Sequence, residues 1–447
     1  MNDLQLIFAI LSGIAILLLL IIRLKLNAFL SLLVASIWVG LIGGLSGEVI
    51  IDSISTGMGN TLAFVATIVG LGAIFGALLE HSGGAQALAK FLLKKGGETK
   101  SRLALLFTGF IVAIPVFFDV GIIILFPIVK ALAAKSGKNV LYYALPLLTG
   151  LAITHSFIPP TPGPVAVAEI LKVDLGYAIV IGAIIGLPIA LLCGLYLSKF
   201  ITPTEIDQTI AQEDSSDTFD GSLVKTIFFI LGLPIILILV GSLLKFLAGE
   251  GIIENGVIVD TVSFIGHPFV SLIIATLLAM YFLGTKRGAT KTELFDVANR
   301  SLGPAGSIIL ITGAGGVLKQ MMINTGIGDM IAKAMESGTI SILILSYLVA
   351  VLVRVMQGSA TVAMLTAAGI VAAVIPGMDL SMLDKTLIMM AIAAGSVVLS
   401  HVNDSGFWLV NRYLDHTVQQ TLRSWTIQSS MISLSSFLLI FIAYQLL

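Results

Sequence analysis

The stretch Thr154-His155-Ser156-Phe157-Ile158-Pro159-Pro160-Thr161-Pro162-Gly163-Pro164 lies between two apolar runs, Leu141–Ile153 and Val165–Leu171. Four prolines within six residues cannot continue a helix, because each lacks a backbone N–H and clashes with the preceding turn. The sequence therefore predicts a helix that ends here and begins again near Val165. In lipid, freed backbone groups are tolerated only inside protein or beside a water-filled cavity. A broken helix with His, Ser and Thr at its break is typical of a transporter binding site. A proline-rich loop at the membrane surface is the alternative.

The composition indicates a polytopic membrane protein. Of the 447 residues, 57% are hydrophobic and 11% are charged, whereas soluble domains carry about 25% charged residues. Mean hydropathy is +1.08. The net charge of −1 argues against nucleic acid as a partner. The single cysteine, Cys193, excludes a disulfide framework.

Apolar runs long enough to span a bilayer, which takes roughly 17–25 residues, occur along the whole chain. Two are broken, at 140–171 and 386–413, and two further apolar stretches are interrupted at Pro115–Gly121 and Arg354–Thr361. We interpret the interrupted stretches as re-entrant hairpins that return to the same side of the membrane; two short spans each are the alternative. The unbroken runs lie at about 4–22, 26–45, 61–79, 176–200, 226–247, 266–283, 305–322 and 421–445.

Landmarks recur between the two halves of the chain. Gly83 and Gly326 follow the third run of each half and are 243 residues apart. His155 in the first break corresponds to His401 in the second. Each half then has five spans, an odd number, so the second half would enter the membrane from the opposite side. The sequence therefore predicts an inverted-topology repeat, an arrangement found in many secondary transporters.

The predicted fold is an all-α polytopic membrane protein whose two five-span halves each contain a re-entrant hairpin and a broken helix. The first membrane repeat covers residues 1–201 and the second covers residues 223–447. Residues 202–222 form an acidic linker, which the distribution of Lys and Arg places in the cytoplasm.

Ionisable groups inside a membrane are costly and tend to be functional. Coupling to protons needs groups that gain and lose charge, as histidines and buried carboxylates do. The candidates for proton coupling are Asp119, His155, His401 and Asp404. For each histidine, a satisfied buried imidazole is the alternative. Arg354 is expected to form a charge pair with a membrane carboxylate such as Asp119, and contact with the substrate is the alternative.

A substrate site needs small hydrogen-bonding groups. The N-termini of helices that begin again after a break also offer free N–H groups and positive dipole ends to an anion such as a carboxylate. For any one of these small residues, helix packing is the alternative role. The candidates for substrate binding are Ser156, Thr161, Gly163, Gly358, Ser359, Thr361, Asn403 and Ser405.

The sequence contains no Walker motif, no HExxH pattern and no paired cysteines, so neither ATP-driven transport nor a standard metal site is expected. The protein is therefore not expected to be an enzyme. A metal site made of His155, His401 and Asp404, serving an intramembrane enzyme, is a remote alternative. A passive channel is a further alternative, although no ring of like charges lines any predicted span.

Three segments resemble the signatures of the gluconate permease (GntP) family: His155–Pro164, Gln357–Thr361 and Ser400–Trp408. The resemblance implies a symporter of the bacterial plasma (inner) membrane that takes up a sugar acid such as gluconate with protons and needs no cofactor. Members of that family also carry D-serine, idonate or fructuronate, and the sequence does not choose among them. The family is similar to a wider ion-transporter superfamily of elevator-type transporters, which by analogy suggests a homodimer. Sodium-coupled relatives show an Asn-Thr pair at the hairpin tips, whereas this chain has Phe117–Gly121 there, which favours protons.

Overall fold

The computed structural model describes residues 3–96, 100–202, 221–249, 251–254, 256–326, 341–402 and 404–446. Every regular element in this part of the chain is helical, so the all-α prediction is confirmed. The helices are α1 (Asp3–Leu18), α2 (Ala28–Ile42), α3 (Gly47–His81), α4 (Gly84–Gly96), α5 (Ser101–Val112), α6 (Phe118–Ser136), α7 (Val140–Phe157), α8 (Pro162–Leu171), α9 (Leu175–Leu191), α10 (Ser198–Ile201), α11 (Gly221–Gly249), α12 (Val257–Ile265), α13 (Pro268–Ala279), α14 (Lys291–Asn324), α15 (Ile342–Gln357), α16 (Ala360–Val374), α17 (Met382–Val397), α18 (Ser405–Tyr413), α19 (Val418–Thr421) and α20 (Ile427–Leu446).

Seven helical segments of the described chain are long and apolar enough to cross a membrane. Five further apolar helices have only 10–17 residues. The predicted broken run at 386–413 forms no full-length span, because it is divided into α17 of 16 residues and α18 of nine. The protein is therefore a multi-pass membrane protein that has fewer full-length spans than the apolar runs in its sequence suggest.

The two longest helices, α3 and α14, extend far beyond the apolar runs predicted at 61–79 and 305–322. Their N-terminal halves are polar enough to fall outside a hydropathy window, yet the N-caps Ser46 and Thr290 start each helix well before the apolar part. Both helices end at a glycine with positive φ, Gly83 at 68° and Gly326 at 75°, where the absence of a Cβ removes the steric penalty.

Helices α3 and α14 pack against each other in antiparallel orientation. Gly57 and Gly316 face each other so closely that a Cβ on either would meet the backbone of the other helix, as is common between membrane helices. Asn324 Nδ2 donates to Ser53 Oγ at 2.8 Å near one end of the pair. Because α2 contacts α14 and α13 contacts α3, these four helices form one interlocked layer.

Four breaks interrupt the remaining helices. Two separate the helices of a pair: Ala113–Phe117 divides the first helix pair (α5–α6), and Gly358–Ser359 divides the second helix pair (α15–α16). The first broken helix (α7–α8) is interrupted at Ile158–Thr161, and the second (α17–α18) between Val397 and Ser405. All four lie where the sequence predicts an interruption, because proline, glycine and polar residues stand there within apolar runs.

The segment Val140–Leu171 lies in the interior of the protein. In its most apolar window 89% of residues are buried, compared with 33–50% for the other six membrane-crossing segments. The proline-rich break between α7 and α8 is therefore surrounded by protein rather than exposed at the surface. A loop at the membrane surface, the alternative for this stretch, does not fit that burial.

The helix pairs and broken helices of the two halves pack crosswise. Helix α6 of the first half contacts α18 of the second half, and α16 of the second half contacts α8 of the first. The ends of all four breaks are thereby brought into the same region. The predicted linker lies mostly outside the described residues, and its last two positions, 221 and 222, already belong to α11.

Candidate functional site

A cavity of about 410 Å³ lies where the breaks meet, and we call it the central cavity. This volume is in the range typical of small-molecule sites. The first turns of three helices line it: Phe118–Val120 of α6, Ala360–Val362 of α16 and Ser405–Gly406 of α18. The first broken helix contributes His155 and Ser156. The remaining polar or aromatic residues of its wall are Phe117, Ser307, Arg354, Ser359, Asp404 and Trp425.

Helix N-termini give the central cavity a positive potential. The first N–H groups of a helix have no partner within the helix, and the aligned peptide dipoles add partial positive charge. Two of the three N-termini carry side-chain caps, since Ser359 Oγ accepts from Val362 N and Asp404 Oδ1 accepts from Gly406 N. Phe117, which precedes α6, has no side-chain cap. These N-termini therefore favour an anionic group at their side of the cavity.

Arg354 supplies a full positive charge at the wall of the central cavity, although only 4% of the residue is exposed. Its Nη2 donates to Asp404 Oδ2 at 2.5 Å, its Nε donates to Val398 O at 3.3 Å, and its Nη1 donates to Gly358 O. The two carbonyls stand at the C-caps of α15 and α17, where a cation is stabilised. Arg354 thus joins the break of the second helix pair to the break of the second broken helix.

Asp404 is the centre of a buried hydrogen-bond network. Besides Arg354, its Oδ2 accepts from Ser400 Oγ, which in turn accepts from Trp425 Nε1 at 2.8 Å. Asp119 lines the same cavity as Asp404 and has no ion pair with Arg354 among the described residues. The membrane carboxylate that pairs with Arg354 is therefore Asp404, in place of the Asp119 suggested from the sequence.

His155 is held among aromatic rings at the edge of the central cavity. Its ring lies 6.4 Å from that of Phe117 and 6.5 Å from that of Phe118, and Phe118 stacks on Trp425 at 5.6 Å. Its Nδ1 is buried and has no hydrogen-bond partner within the described residues. An unpartnered buried polar atom is costly, so this nitrogen is available for a ligand, a water molecule or a proton.

The structure brings together eight of the thirteen predicted site residues at the central cavity: Asp119, His155, Ser156, Arg354, Ser359, Thr361, Asp404 and Ser405. Four others are absent from its wall. Thr161 Oγ1 donates to Ile158 O at 2.6 Å within its own break, and a Cβ on Gly163 would contact Met364. Gly358 has φ of 87° and turns the chain, while His401 Nε2 bonds to Val355 O at 3.0 Å. Asn403 lies outside the described residues.

Sequence reasoning missed Trp425, Ser400 and Ser307. Trp425 lies at the start of a predicted span, in the polar sequence Arg423-Ser424-Trp425-Thr426, and that polarity was the available signal. Ser307 lies on α14, within a run that was predicted to be only a membrane span. Ser400 lies behind the cavity wall and bonds to Asp404. These positions depend on tertiary packing, which a single sequence does not reveal.

The residues of the proposed metal site are not grouped as ligands. Asp404 is engaged by Arg354, and His401 is engaged by the Val355 carbonyl. No group of three His, Cys, Asp or Glu side chains among the described residues is arranged to hold a metal ion. The arrangement can instead bind an anion and exchange a proton.

A second cavity, of about 350 Å³, shares Phe117, Val120 and Pro304 with the central cavity. Its charged residues Glu80 and Arg300 are exposed. This side cavity therefore lies toward the surface, and the three shared residues separate it from the central one.

Comparisons with known proteins identify the family of this chain. The model of the family described as GntP family permease matches residues 4–447. The chain is 37% identical to the gluconate permease of Bacillus subtilis (strain 168) over 434 residues, which are 95% of this chain and 96% of the relative. It is 34% identical to the low-affinity gluconate transporter of Escherichia coli (strain K12), with both chains fully covered. It is also 34% identical to the Gnt-II system L-idonate transporter of the same strain, with 96% of each chain covered.

Among solved structures, the YdaH transporter of Alcanivorax borkumensis, described as having an unusual topology, is similar in fold. The TM-score is 0.63, the sequence identity is 15%, and 90% of each chain is covered. At that identity the similarity concerns the fold alone.

Proposed function

The chain belongs to the GntP permease family, and from that premise we propose that it is a secondary active transporter that imports gluconate or a similar small hydroxycarboxylate by proton symport. The protein is a permease rather than an enzyme, as its relatives are named permeases and transporters. One relative, 33% identical, is named an inner membrane permease, in agreement with the expected location in the bacterial plasma (inner) membrane.

The observation that carries the proposal is the composition of the central cavity. One buried guanidinium and three helix N-termini favour a carboxylate. Hydroxyl groups of Ser156, Ser359, Thr361 and Ser405 also line the cavity, and they match the hydroxyl groups of a sugar acid. A neutral sugar has no carboxylate to offer to Arg354 or to the helix N-termini.

Proton coupling is supported by the titratable groups at the same place. Asp119, His155 and Asp404 all line the central cavity, so a proton and a substrate would meet within one site. We propose no cofactor and no other coupling ion. Within the same family, L-idonate, fructuronate and D-serine are alternative substrates, since each carries the carboxylate that the positive groups favour.

We also propose that the molecule is an inverted-topology repeat working as an elevator. The helices after the two broken-helix interruptions begin at Pro162 and Ser405, which are 243 residues apart, the same separation as Gly83 and Gly326. The interlocked layer of α2, α3, α13 and α14 would be the scaffold, and the helix pairs with the broken helices would move. A homodimer through this scaffold is proposed by analogy with elevator transporters.

The deciding experiment is uptake by proteoliposomes. Labelled gluconate should accumulate against its gradient when the outside is more acidic than the inside, and a protonophore should abolish that accumulation. Unlabelled L-idonate, fructuronate and D-serine, added as competitors, rank the substrates. Uptake that equilibrates without accumulation would indicate a passive channel and contradict symport.

A further inference from the structure

We propose that Arg354 binds the carboxylate of the substrate, and that Asp404 takes the place of that carboxylate when the site is empty. The inference rests on the proposed function and concerns the same site. It assigns the carboxylate-binding residue and the step that couples the uptake of one proton to the binding of one anion.

The hydrogen bonds of Arg354 leave room for a second carboxylate. A guanidinium has five N–H groups, and three are used by Val398 O, Gly358 O and Asp404 Oδ2. The side chain lines the central cavity, so its unused donors are near the space that a ligand would occupy. Only Asp404 among the three partners carries a charge, and it is therefore the partner that an anionic ligand can replace.

The burial of the pair makes the two carboxylates interdependent. Arg354 is 4% exposed and Asp404 is 9% exposed, and a buried charge without a partner is strongly unfavourable. If Asp404 accepts a proton, Arg354 loses its counterion, and the carboxylate of the substrate restores it. If the proton leaves, Asp404 competes again for Arg354 and the substrate is released. Proton and substrate therefore increase each other's affinity, as linkage requires.

The step balances in charge and atoms. One proton forms an O–H bond on the Asp404 carboxylate, the Arg354–Asp404 ion pair is lost, and an ion pair between Arg354 and the substrate carboxylate forms. The central site gains one positive and one negative charge, so its net charge is the same empty and loaded. The loaded and the empty site therefore meet a similar electrostatic barrier when they move across the bilayer.

Charged groups on neighbouring elements bear on Asp404 as well. Asp119 on α6 lines the same cavity as Asp404, and Arg354 on α15 attracts the Asp404 carboxylate. On the first broken helix, His155 lines the same cavity. On its own broken helix, His401 is bound to Val355 O. The segment Leu422–Thr426, which contributes Trp425, has one charged residue, Arg423, and that residue is exposed.

The alternative is that Arg354 has only a structural role, holding together the break of the second helix pair and that of the second broken helix. It bonds the C-cap carbonyls of α15 and α17, and such a brace would hold the backbone whether or not a substrate is present. Under that alternative Asp404 keeps its proton state when gluconate binds. The number of protons taken up on binding, compared between the unsubstituted protein and Asp404→Asn, therefore separates the two roles.

The test measures gluconate binding and proton uptake by the purified, full-length protein in weakly buffered detergent between about pH 5.5 and 8. We expect about one proton to be taken up per gluconate bound at the alkaline end. The affinity should fall by up to about tenfold per pH unit there. Asp404→Asn, which resembles the protonated residue, should bind gluconate at a pH-independent affinity with this proton uptake lost. In proteoliposomes the variant should exchange gluconate across the membrane yet fail to accumulate it.

Asp415→Asn is the matched control, because Asp415 lies just beyond α18 in an exposed ion pair with Lys130 at 2.8 Å. It should behave as the unsubstituted protein does. Arg354→Gln should lose gluconate binding at every pH. If Asp404→Asn fails to fold, proton uptake is compared among the unsubstituted protein, Asp119→Asn and His155→Asn, and uptake that persists in both variants assigns the proton to Asp404. If gluconate binds without proton uptake at every pH tested, the proposed coupling between Asp404 and the substrate is wrong. Failure of the unsubstituted protein to accumulate gluconate, L-idonate or D-serine in the vesicle assay would instead overturn the proposed function.

Discussion

At the scale of single residues, the first prediction concerns His155, a proposed proton carrier. Its Nδ1 is buried without a partner among the described residues, and the ring faces Phe117 and Phe118 beside the central cavity. We expect His155→Asn to lower proton-driven uptake on the order of tenfold, because the amide retains polarity but cannot titrate. The measurement is the initial rate of labelled gluconate uptake at several external pH values.

The control for that substitution is His267→Asn. His267 caps α13 by accepting from Phe269 N at 3.3 Å, a role that Asn fills well, and it does not line the central cavity. Its uptake rates should match those of the unsubstituted protein. If His155→Asn and His267→Asn take up gluconate at equal rates, His155 does not take part in proton coupling.

Trp425 supports the binding site through one hydrogen bond and one stacked ring. Trp425→Phe keeps the stacking on Phe118 but removes the donation from Nε1 to Ser400 Oγ, a loss of about 1 kcal/mol. We expect gluconate affinity to fall about fivefold, because Ser400 also holds Asp404. Trp38→Phe removes a similar bond to Ser12 at 3.0 Å on the exposed surface. Titration calorimetry should show that Trp38→Phe binds gluconate with unchanged affinity. An unchanged gluconate affinity of Trp425→Phe would contradict the role assigned to Trp425.

The positions of functional residues could be predicted only in part at this scale. The sequence pointed to Arg354 and Asp404 because charges inside apolar runs are rare and visible. Their pairing was not visible, because 50 residues separate them and two breaks must fold back before they meet. His401 is on a predicted break as His155 is, yet its imidazole bonds the Val355 carbonyl instead of lining the cavity.

At the scale of secondary-structure elements, close packing of α5 against α7 depends on glycine. A Cβ on Gly150 would collide with the backbone of Leu106 and lie 2.7 Å from Phe110 N. We expect Gly150→Ala to lower the free energy of unfolding by about 1–3 kcal/mol, since the helices must move apart. The midpoint of unfolding in an SDS titration of the purified protein measures the effect.

Gly232→Ala provides the comparison, since a Cβ there meets only Ile236 Cδ1 at 3.9 Å within α11. Alanine is the better helix former, so this variant should be as stable as the unsubstituted protein or slightly more so. A Gly150→Ala variant with an unchanged midpoint would show that α5 and α7 are less tightly packed than described.

Element boundaries followed from the sequence where they depend on local chemistry. The four interruptions were predictable, because proline and glycine act on the backbone at their own position. The full lengths of α3 and α14 were not predictable from hydropathy, because residues such as Glu48 and Asp52 lie in the helix without being apolar. The N-cap Ser46 starts the helix just before them.

At the scale of the whole molecule, the elevator proposal requires the interlocked layer and the moving helices to slide past each other. Gly315 on α14 and Leu365 on α16 lie on opposite sides of that boundary, and a Cβ on Gly315 would be 3.7 Å from that of Leu365. This separation suits a disulfide. We expect oxidised Gly315→Cys/Leu365→Cys protein, in a Cys193→Ala background, to stop transporting gluconate and to recover on reduction.

A cross-link within the proposed scaffold is the control. Ser53 and Asn324 join α3 to α14 through a hydrogen bond of 2.8 Å, so Ser53→Cys/Asn324→Cys, bridged by a short bifunctional thiol reagent, should cross-link without arresting uptake. Full activity of the oxidised Gly315→Cys/Leu365→Cys protein would contradict relative motion of α14 and α16. If both cross-links stop gluconate uptake, α3 and α14 also move relative to each other, and the two helices do not belong to one rigid scaffold.

The crosswise packing of the two halves also bears on how the chain is made. Helix α8 packs against α16, and the ribosome completes α8 before it has synthesised residues 172–359. Throughout that interval the nascent chain must keep the unwound prolines of the first break away from acyl chains. The face of α8 that α16 covers in the finished protein stays open to the translocon or to insertion chaperones meanwhile. The topology therefore fixes the order of assembly. The N-terminal half inserts first with part of α8 uncovered, and the C-terminal half later covers it with α16.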